Sequence, residues 1–335
     1  MNLLLRYLLL VLLVVLPTTS RTQDSFPSLK ANKTALCAPT PACEAQIGIR
    51  VLGVLELPTR LLKNGYRFGG LSGLAWDEDE NTLYAVSDLG VLFGLRPVFR
   101  KDRLVDVGLV SANALIDPRT QKPVKLRRSD AEGLDVLNSR NGRHGDSELI
   151  ISFEGDPRIA RYRADGSFIA EVVLANSLRT LKNYRYNRML EAVCNHPREG
   201  TLTAPEEPLN GQDTKRLYRA DGQSWRIPPG RGAIVAIECL PDGDILLLER
   251  ELVKLSVRWI STLRRLKLPA KAPIDSMLSA QTIVQMDGAE LAIDNFEGLA
   301  RHRGNRFFMV SDDNNVFLQH TLLVYFELLL ASPAP

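Results

Sequence analysis

One hairpin recurs five times along this chain, and self-similarity at that scale leaves few folds open. Ser72-Gly73-Leu74-Ala75-Trp76-Asp77 leads through a turn to Leu83-Tyr84-Ala85-Val86-Ser87-Asp88. Glu132-Gly133-Leu134-Asp135-Val136-Leu137 leads to Leu149-Ile150-Ile151-Ser152-Phe153-Glu154. Glu191-Ala192-Val193-Cys194 leads to Thr201-Leu202-Thr203-Ala204-Pro205-Glu206, and Val235-Ala236-Ile237-Glu238-Cys239 to Ile245-Leu246-Leu247-Leu248-Glu249. Glu297-Gly298-Leu299-Ala300 leads to Phe307-Phe308-Met309-Val310-Ser311-Asp312.

From the first residue of each hairpin to its closing acid the count is 16, 22, 15, 14 and 15 residues, the long copy carrying a polar insertion at 139–146. Successive copies begin 60, 59, 44 and 62 residues apart, the spacing of four-stranded blades with loop insertions. Elsewhere short apolar or alternating runs end in turn residues, and a sustained helical period is scarce. The stretches 177–190 and 273–284 are the best candidates for local helices or long loops. The pattern predicts an all-β chain folded as a single β-propeller. The first strand-like run, 49–57, and the last, 322–329, can pair to close the ring. Six blades is the preferred count, with five or seven as alternatives.

In a blade the first strand lines the central channel and the second returns antiparallel beside it. The start of the first and the end of the second therefore share one end of the channel. Asp88, Glu132, Glu154, Glu191, Glu206, Glu249, Glu297 and Asp312 are all expected at that mouth. So many carboxylates repel one another and raise each other's pKa unless a cation neutralises them. Ca2+ accepts 6–8 oxygens in flexible geometry, whereas zinc favours His and Cys, which do not cluster here. Any one of these acids is explained by a turn or by pairing with Arg158, Arg250 or Arg301; five aligned acidic ends point to a functional mouth.

Residues 1–20 read as a secretory signal: Arg6 precedes an uninterrupted apolar run at 8–16, then Pro17-Thr18-Thr19-Ser20. That run is shorter than the roughly 20 residues a spanning helix needs. The mature chain is expected to be periplasmic or secreted, with no later membrane span. Residues 21–48 form a Pro-containing linker and 49–330 the propeller. In that oxidising setting Cys37 and Cys43 are expected to close a small loop, and Cys194 to pair with Cys239, since both lie at or just past inner strands of consecutive repeats. A net charge of +3, from 42 basic and 39 acidic residues, is too balanced for a nucleic-acid binder. Nothing in the pattern sets an oligomeric state, and a monomer is the default.

The succession Gly69-Gly70-Leu71-Ser72-Gly73-Leu74, Glu132-Gly133-Leu134, Phe153-Glu154-Gly155-Asp156-Pro157-Arg158-Ile159, Leu246-Leu247-Leu248-Glu249-Arg250 and Asn295-Phe296-Glu297-Gly298-Leu299-Ala300, with Val310-Ser311-Asp312-Asp313-Asn314, resembles the phytase-like family named for esterase-like activity of phytase. The likeness spans about 50–329. It implies an exported bacterial β-propeller that hydrolyses phosphate esters with calcium assistance. Pro157 stands where the family pattern often has His, which argues against a His-dependent step.

Two function classes follow. One is a metal-assisted hydrolase of small phosphorylated or ester substrates. In it Glu132, Glu154 and Glu249 serve the chemistry, Arg158, Arg250 or Arg301 add positive charge, and a carboxylate or metal-activated water attacks. The other is a non-catalytic propeller binding a ligand or envelope protein, with calcium as a structural plug. A sugar-lactone hydrolase on the same fold is a weaker third. Gly70-Leu71-Ser72-Gly73 is not a serine-hydrolase elbow, because its second glycine is one place early and strand follows. Histidines 144, 196, 302 and 320 share no metal spacing; His196 and His302 read as surface residues at the far end from the acids. Trp76, Trp225 and Trp259 read as blade packing.

Overall fold

The computed structural model describes residues 27–37, 48–59, 61–185, 188–256, 258–314 and 319–329. They form a β-propeller with almost no helix. Blade 1 comprises Leu71–Asp77, Thr82–Ser87, Val91–Arg100 and Arg103–Ala114, and blade 2 Ala131–Leu137, Glu148–Phe153, Arg158–Tyr162 and Phe168–Glu171. Blade 3 comprises Leu190–His196, Gly200–Pro205, Arg216–Arg219 and Ser224–Arg226, and blade 4 Ala233–Cys239, Ile245–Val253, Arg258–Lys267 and Ser279–Asp287. Blade 5 joins Phe296–Arg303, Arg306–Ser311 and Thr321–Leu328 to Ile49–Leu57 and Asn32–Thr34 from the other end of the chain. Inner strands touch in order round the axis, and that of blade 5 closes on that of blade 1.

The blade count is therefore five, not six. The terminal strands do pair, from Ile49 opposite Leu328 to Leu57 opposite Thr321, but they do so inside blade 5. After the last hairpin only one more described strand follows in the chain. The strand Ile49–Leu57 fills the fourth place, and besides the two-residue pairs Leu62–Lys63 with Tyr66–Arg67 and Ile116–Asp117 with Lys122–Pro123 no described strand is left to build a sixth blade. Within the segment read as a linker, Asn32–Thr34 pairs with Val54 to Glu56, and Leu29 and Leu36 are buried. The signal segment and Cys43 lie outside the described residues. The stretch 177–190 holds only a helical turn, Asn176–Arg179, and a 3-10 turn, Leu181–Asn183; 273–284 is loop running into strand.

The alternation of apolar residues along the strands buries one hydrophobic cluster at each junction between neighbouring blades. Among the described residues no helix is long and apolar enough to cross a membrane. Cys194 and Cys239 form a disulfide between the inner strands of blades 3 and 4, with Cα atoms 5.7 Å apart and a separation of 45 in sequence. A closed loop of that length supports a loss of roughly 4 kcal/mol in the Cys194→Ser/Cys239→Ser variant, read as a lowered melting temperature. A melting temperature equal to wild type would show the crosslink to be energetically idle.

One irregularity repeats in every blade at the start of the inner strand. Leu71 pairs with Ser87 but Gly73 with Val86, so Ser72 is an extra, bulged residue. Glu191, Val235 and Glu297 are bulged in the same way, and in blade 2 the extra residue falls at Glu132-Gly133. A bulge re-aims its side chain, so these positions turn toward the axis. The glycine that follows has a packing reason. A Cβ on Gly133 would meet the Val193 nitrogen at 2.7 Å and the Glu191 carbonyl oxygen at 2.9 Å; one on Gly73 would strike the Glu132 carbonyl. Gly73 of Ser-Gly-Leu and Gly133 of Glu-Gly-Leu thus each admit the next blade's bulge, bringing Glu132 and Glu191 in toward the axis.

Candidate active site

In blades 1, 2, 3 and 5 the second strand ends level with the channel mouth. The backbone N–H groups of Asp88, Glu154, Glu206 and Asp312 donate to the carbonyls of Gly70, Asp130, Met189 and Asn295, the residues just before the inner strands. In blade 4 the equivalent pairing is Ala233 with Arg250. Arg250 therefore takes the place that an acid holds in the other four blades.

A cavity of about 330 Å³ opens at this mouth, lined by carboxylates from four blades and their flanking loops. Seven of the eight acids expected there are present: Asp88, Glu132, Glu154, Glu191, Glu206, Glu297 and Asp312. Asp130 joins them, along with Asn295, Arg188, Arg250 and Trp259. Glu249 does not. It lies one residue before Arg250, so strand alternation turns it to the opposite face, where it is fully buried against Arg264 at 3.3 Å and Lys215 at 3.4 Å.

Arg158 is also displaced from its expected role. It is buried in blade 2 with its guanidinium 3.6 Å from the Phe153 ring centroid, donating to the carbonyls of Asp156 and Arg128. Arg301 lines a separate cavity at the other end of the channel, with Asp135, Glu238 and Arg140. His196 and His302 lie away from the mouth but are buried rather than at the surface, bonded to the Gly243 carbonyl and the Tyr325 hydroxyl.

Eight carboxylates thus face two guanidinium groups. Arg250 pairs with Glu297, donates to Asn295 Oδ1 at 2.7 Å and reaches Glu206 at 3.5 Å; Arg188 donates to Glu206 at 3.1 Å. Asp88, Asp130, Glu132, Glu154, Glu191 and Asp312 have no basic side chain at ion-pair distance among the described residues. The electrostatic consequence is large. Burial, then repulsion from Glu191, Asp130, Glu154 and Asp88, holds the Glu132 carboxyl well above the usual range; burial, then Glu206 and Glu154, does the same to Glu191. Burial and neighbouring acids push Glu154 and Asp312 to about 7 and Asp88 to about 6.

The donor chemistry suits a hard cation. Asp130, Glu132 and Glu154 each offer an oxygen within 4.8 Å of the others, and so do Glu154, Glu191 and Glu206. Glu154 belongs to both triads. Asp88 Oδ1 is buried with no hydrogen-bond partner in the structure. Clustered, largely buried oxygen donors with unbalanced negative charge, and no His or Cys among the described residues lining the mouth, can hold a metal ion of the oxygen-seeking kind.

Fold and site together define a β-propeller with a carboxylate-lined, metal-competent mouth. The chain belongs to the phytase-like family described as esterase-like activity of phytase, whose model matches residues 66–315. Similar solved structures include a gluconolactonase from Xanthomonas campestris, 14% identical with a TM-score of 0.44, covering 92% of this chain and 99% of that one. The PQQ-bound aldose sugar dehydrogenase of Streptomyces coelicolor is 12% identical with a TM-score of 0.40, covering 82% and 98%. No curated protein sequence matches the chain.

Proposed function

We propose that this protein is an exported hydrolase of phosphate esters that works with a divalent cation, calcium by preference, held at the acidic mouth. The observation that carries the reading is the convergence of eight carboxylates and two arginines on one cavity in a phytase-like chain. Asp130, Glu132, Glu154, Glu191 and Glu206 would hold the ion. When bound, it would attract the phosphoryl oxygens and offset the charge that develops on them.

The chain's own groups supply the rest. Arg250 and Arg188 sit where a phosphate bound in the cavity can accept hydrogen bonds from them. Hydrolysis joins a water oxygen to phosphorus and breaks the ester P–O bond. One proton leaves the water and one reaches the departing oxygen. Glu132 and Glu154, as ligands, would be ionised; Asp312, whose carboxyl is pushed to about 7 and which is not among the five ligands, can give or take such a proton near neutral pH. Glu249 and Arg158 have no part in this scheme.

The test is hydrolysis of a panel of phosphate monoesters by the exported protein with calcium and after chelation. Cation-dependent release of phosphate supports the reading. Calcium binding with no hydrolysis of any ester would overturn it in favour of a non-catalytic binding propeller.

A further inference from the structure

In blades 1, 2, 3 and 5 the second strand stops at the mouth, at Ser87, Phe153, Pro205 and Ser311. In blade 4 the pairing runs on: Arg250, Glu251, Leu252 and Val253 lie opposite Ser261, Ile260, Trp259 and Arg258. At ~3.3 Å per residue, Val253 stands about 10 Å beyond Arg250 along the strand. A ribbon therefore projects past the mouth on one side, accompanied by the blade's outermost strand as far as Asp287 opposite Ile260, with the Gly288 N–H donating to the Trp259 carbonyl at 2.9 Å.

Alternation gives this ribbon two faces. Arg250 and Leu252 share a face with their cross-strand partners Ser261 and Trp259, and this face looks onto the cavity, because Arg250 and Trp259 both line it. The Arg250 guanidinium lies 5.4 Å from the centre of the Trp259 ring. Trp76 and Trp225 are buried among blade residues, but Trp259 is only partly buried, and Leu252 beside it is 40% exposed. Moving outward from the mouth, the side chains run acid, guanidinium, then indole and leucine side by side. Polar atoms predominate on the rest of the lining, so an indole there has no counterpart among the other blades.

We propose that this ribbon is the specificity element of the site: Trp259, backed by Leu252, receives the organic part of a substrate whose phosphate is bound in the mouth. The preferred substrates are phosphate esters with a flat ring or another apolar group close to the phosphate, such as aryl phosphates. This rests on the phosphate-ester reading above. An indole face and a neighbouring leucine stabilise a ring through stacking and apolar burial, enough for about a tenfold preference over a phosphate without one. Arg250, bound to Glu297 and Asn295 beneath the indole, sets the height at which the phosphate and the ring meet.

The experiment uses the whole exported chain in calcium buffer, titrated with phenylphosphonate, which has no ester bond to hydrolyse, and separately with inorganic phosphate, read by calorimetry and by indole fluorescence. Wild type should bind phenylphosphonate about tenfold more tightly than inorganic phosphate and show fluorescence quenching with the former. Trp259→Ala should erase most of that ratio, Trp259→Phe should keep most of it, and Leu252→Ser should reduce it about threefold, all with wild-type melting temperature. Equal affinity for the two ligands in wild type would overturn the proposal while leaving phosphate binding intact. So would an unchanged ratio in a folded Trp259→Ala protein. Binding of neither ligand would instead refute the phosphate-ester reading on which the proposal stands.

Discussion

Replacing Glu154 by Gln should weaken divalent-cation binding on the order of 100-fold and, in the cation-free protein, raise the melting temperature. Both signs come from one geometry. Glu154 is the carboxylate common to the two oxygen triads, so its charge faces any ion held by either. A unit charge pair at about 4 Å near a protein surface interacts by about 4 kcal/mol, and a Gln carbonyl keeps only part of that attraction. Without the ion, the same charge is repelled by Asp130 and Glu206 and is poorly solvated. Gln preserves the bond that Glu154 Oε1 accepts from the Met189 N–H at 3.0 Å, so the local backbone is not disturbed. Glu249→Gln is the contrast. It should leave cation affinity within about twofold, because Glu249 lies outside the cavity. Its effect should be destabilisation, from leaving Lys215 and Arg264 short of their buried counter-charge. Equal effects of the two substitutions on cation affinity would contradict the site as drawn.

The second large effect is on stability against pH. Glu154 and Asp312 are pushed to about 7 and Asp88 to about 6, above the range of about 4 that they have in an unfolded chain. The folded protein therefore binds these protons more tightly than the unfolded one. Their contribution is fully present below pH ~4 and is lost as pH rises through 6 to 7. Each such group is worth on the order of 3 kcal/mol before relaxation. The cation-free protein should melt several degrees higher at pH 5 than at pH 8. Asp135 and Glu238, at the far end of the channel and raised to about 6 and about 8, act in the same direction. A cation separates the two groups, since it favours ionised carboxylates at the mouth alone. At 100 times its dissociation constant it should restore about 2.7 kcal/mol at pH 8 and much less at pH 5. A calcium-induced shift as large at pH 5 as at pH 8 would mean that these carboxylates are not its ligands.

Much of this arrangement could be read from the chain itself. The hairpin repeat was visible because strand ends at a channel mouth impose the same residue types in each blade. Blade number was not, since ring closure by Ile49–Leu57 depends on a pairing between sequence ends that no local pattern marks. The placement of Glu249 failed for a countable reason. The hairpin from Val235 to Glu249 is one residue shorter than those closing at Glu206 and Asp312, and Arg250 is what falls in register. Asp130 could have been found from Asp130-Ala131-Glu132 beside Asn295-Phe296-Glu297, two copies of a polar residue two places before the bulged glutamate. Arg188 carried no such signal, because it comes from the loop between blades 2 and 3. Trp259 was read as packing because an extended ribbon and an ordinary blade hairpin look alike in sequence.

The most direct test of the central claim, that the acidic mouth is a divalent-cation site, is calorimetric titration of calcium into chelator-treated wild-type protein at pH 7.5, repeated in two buffers of different ionisation enthalpy. Saturable binding is expected with a dissociation constant at or below about 1 mM. Proton release is expected too, since Glu132, Glu154 and Glu191 must give up protons to become ligands. No saturable binding up to about 10 mM calcium, ten times the weak end of that range, would contradict it.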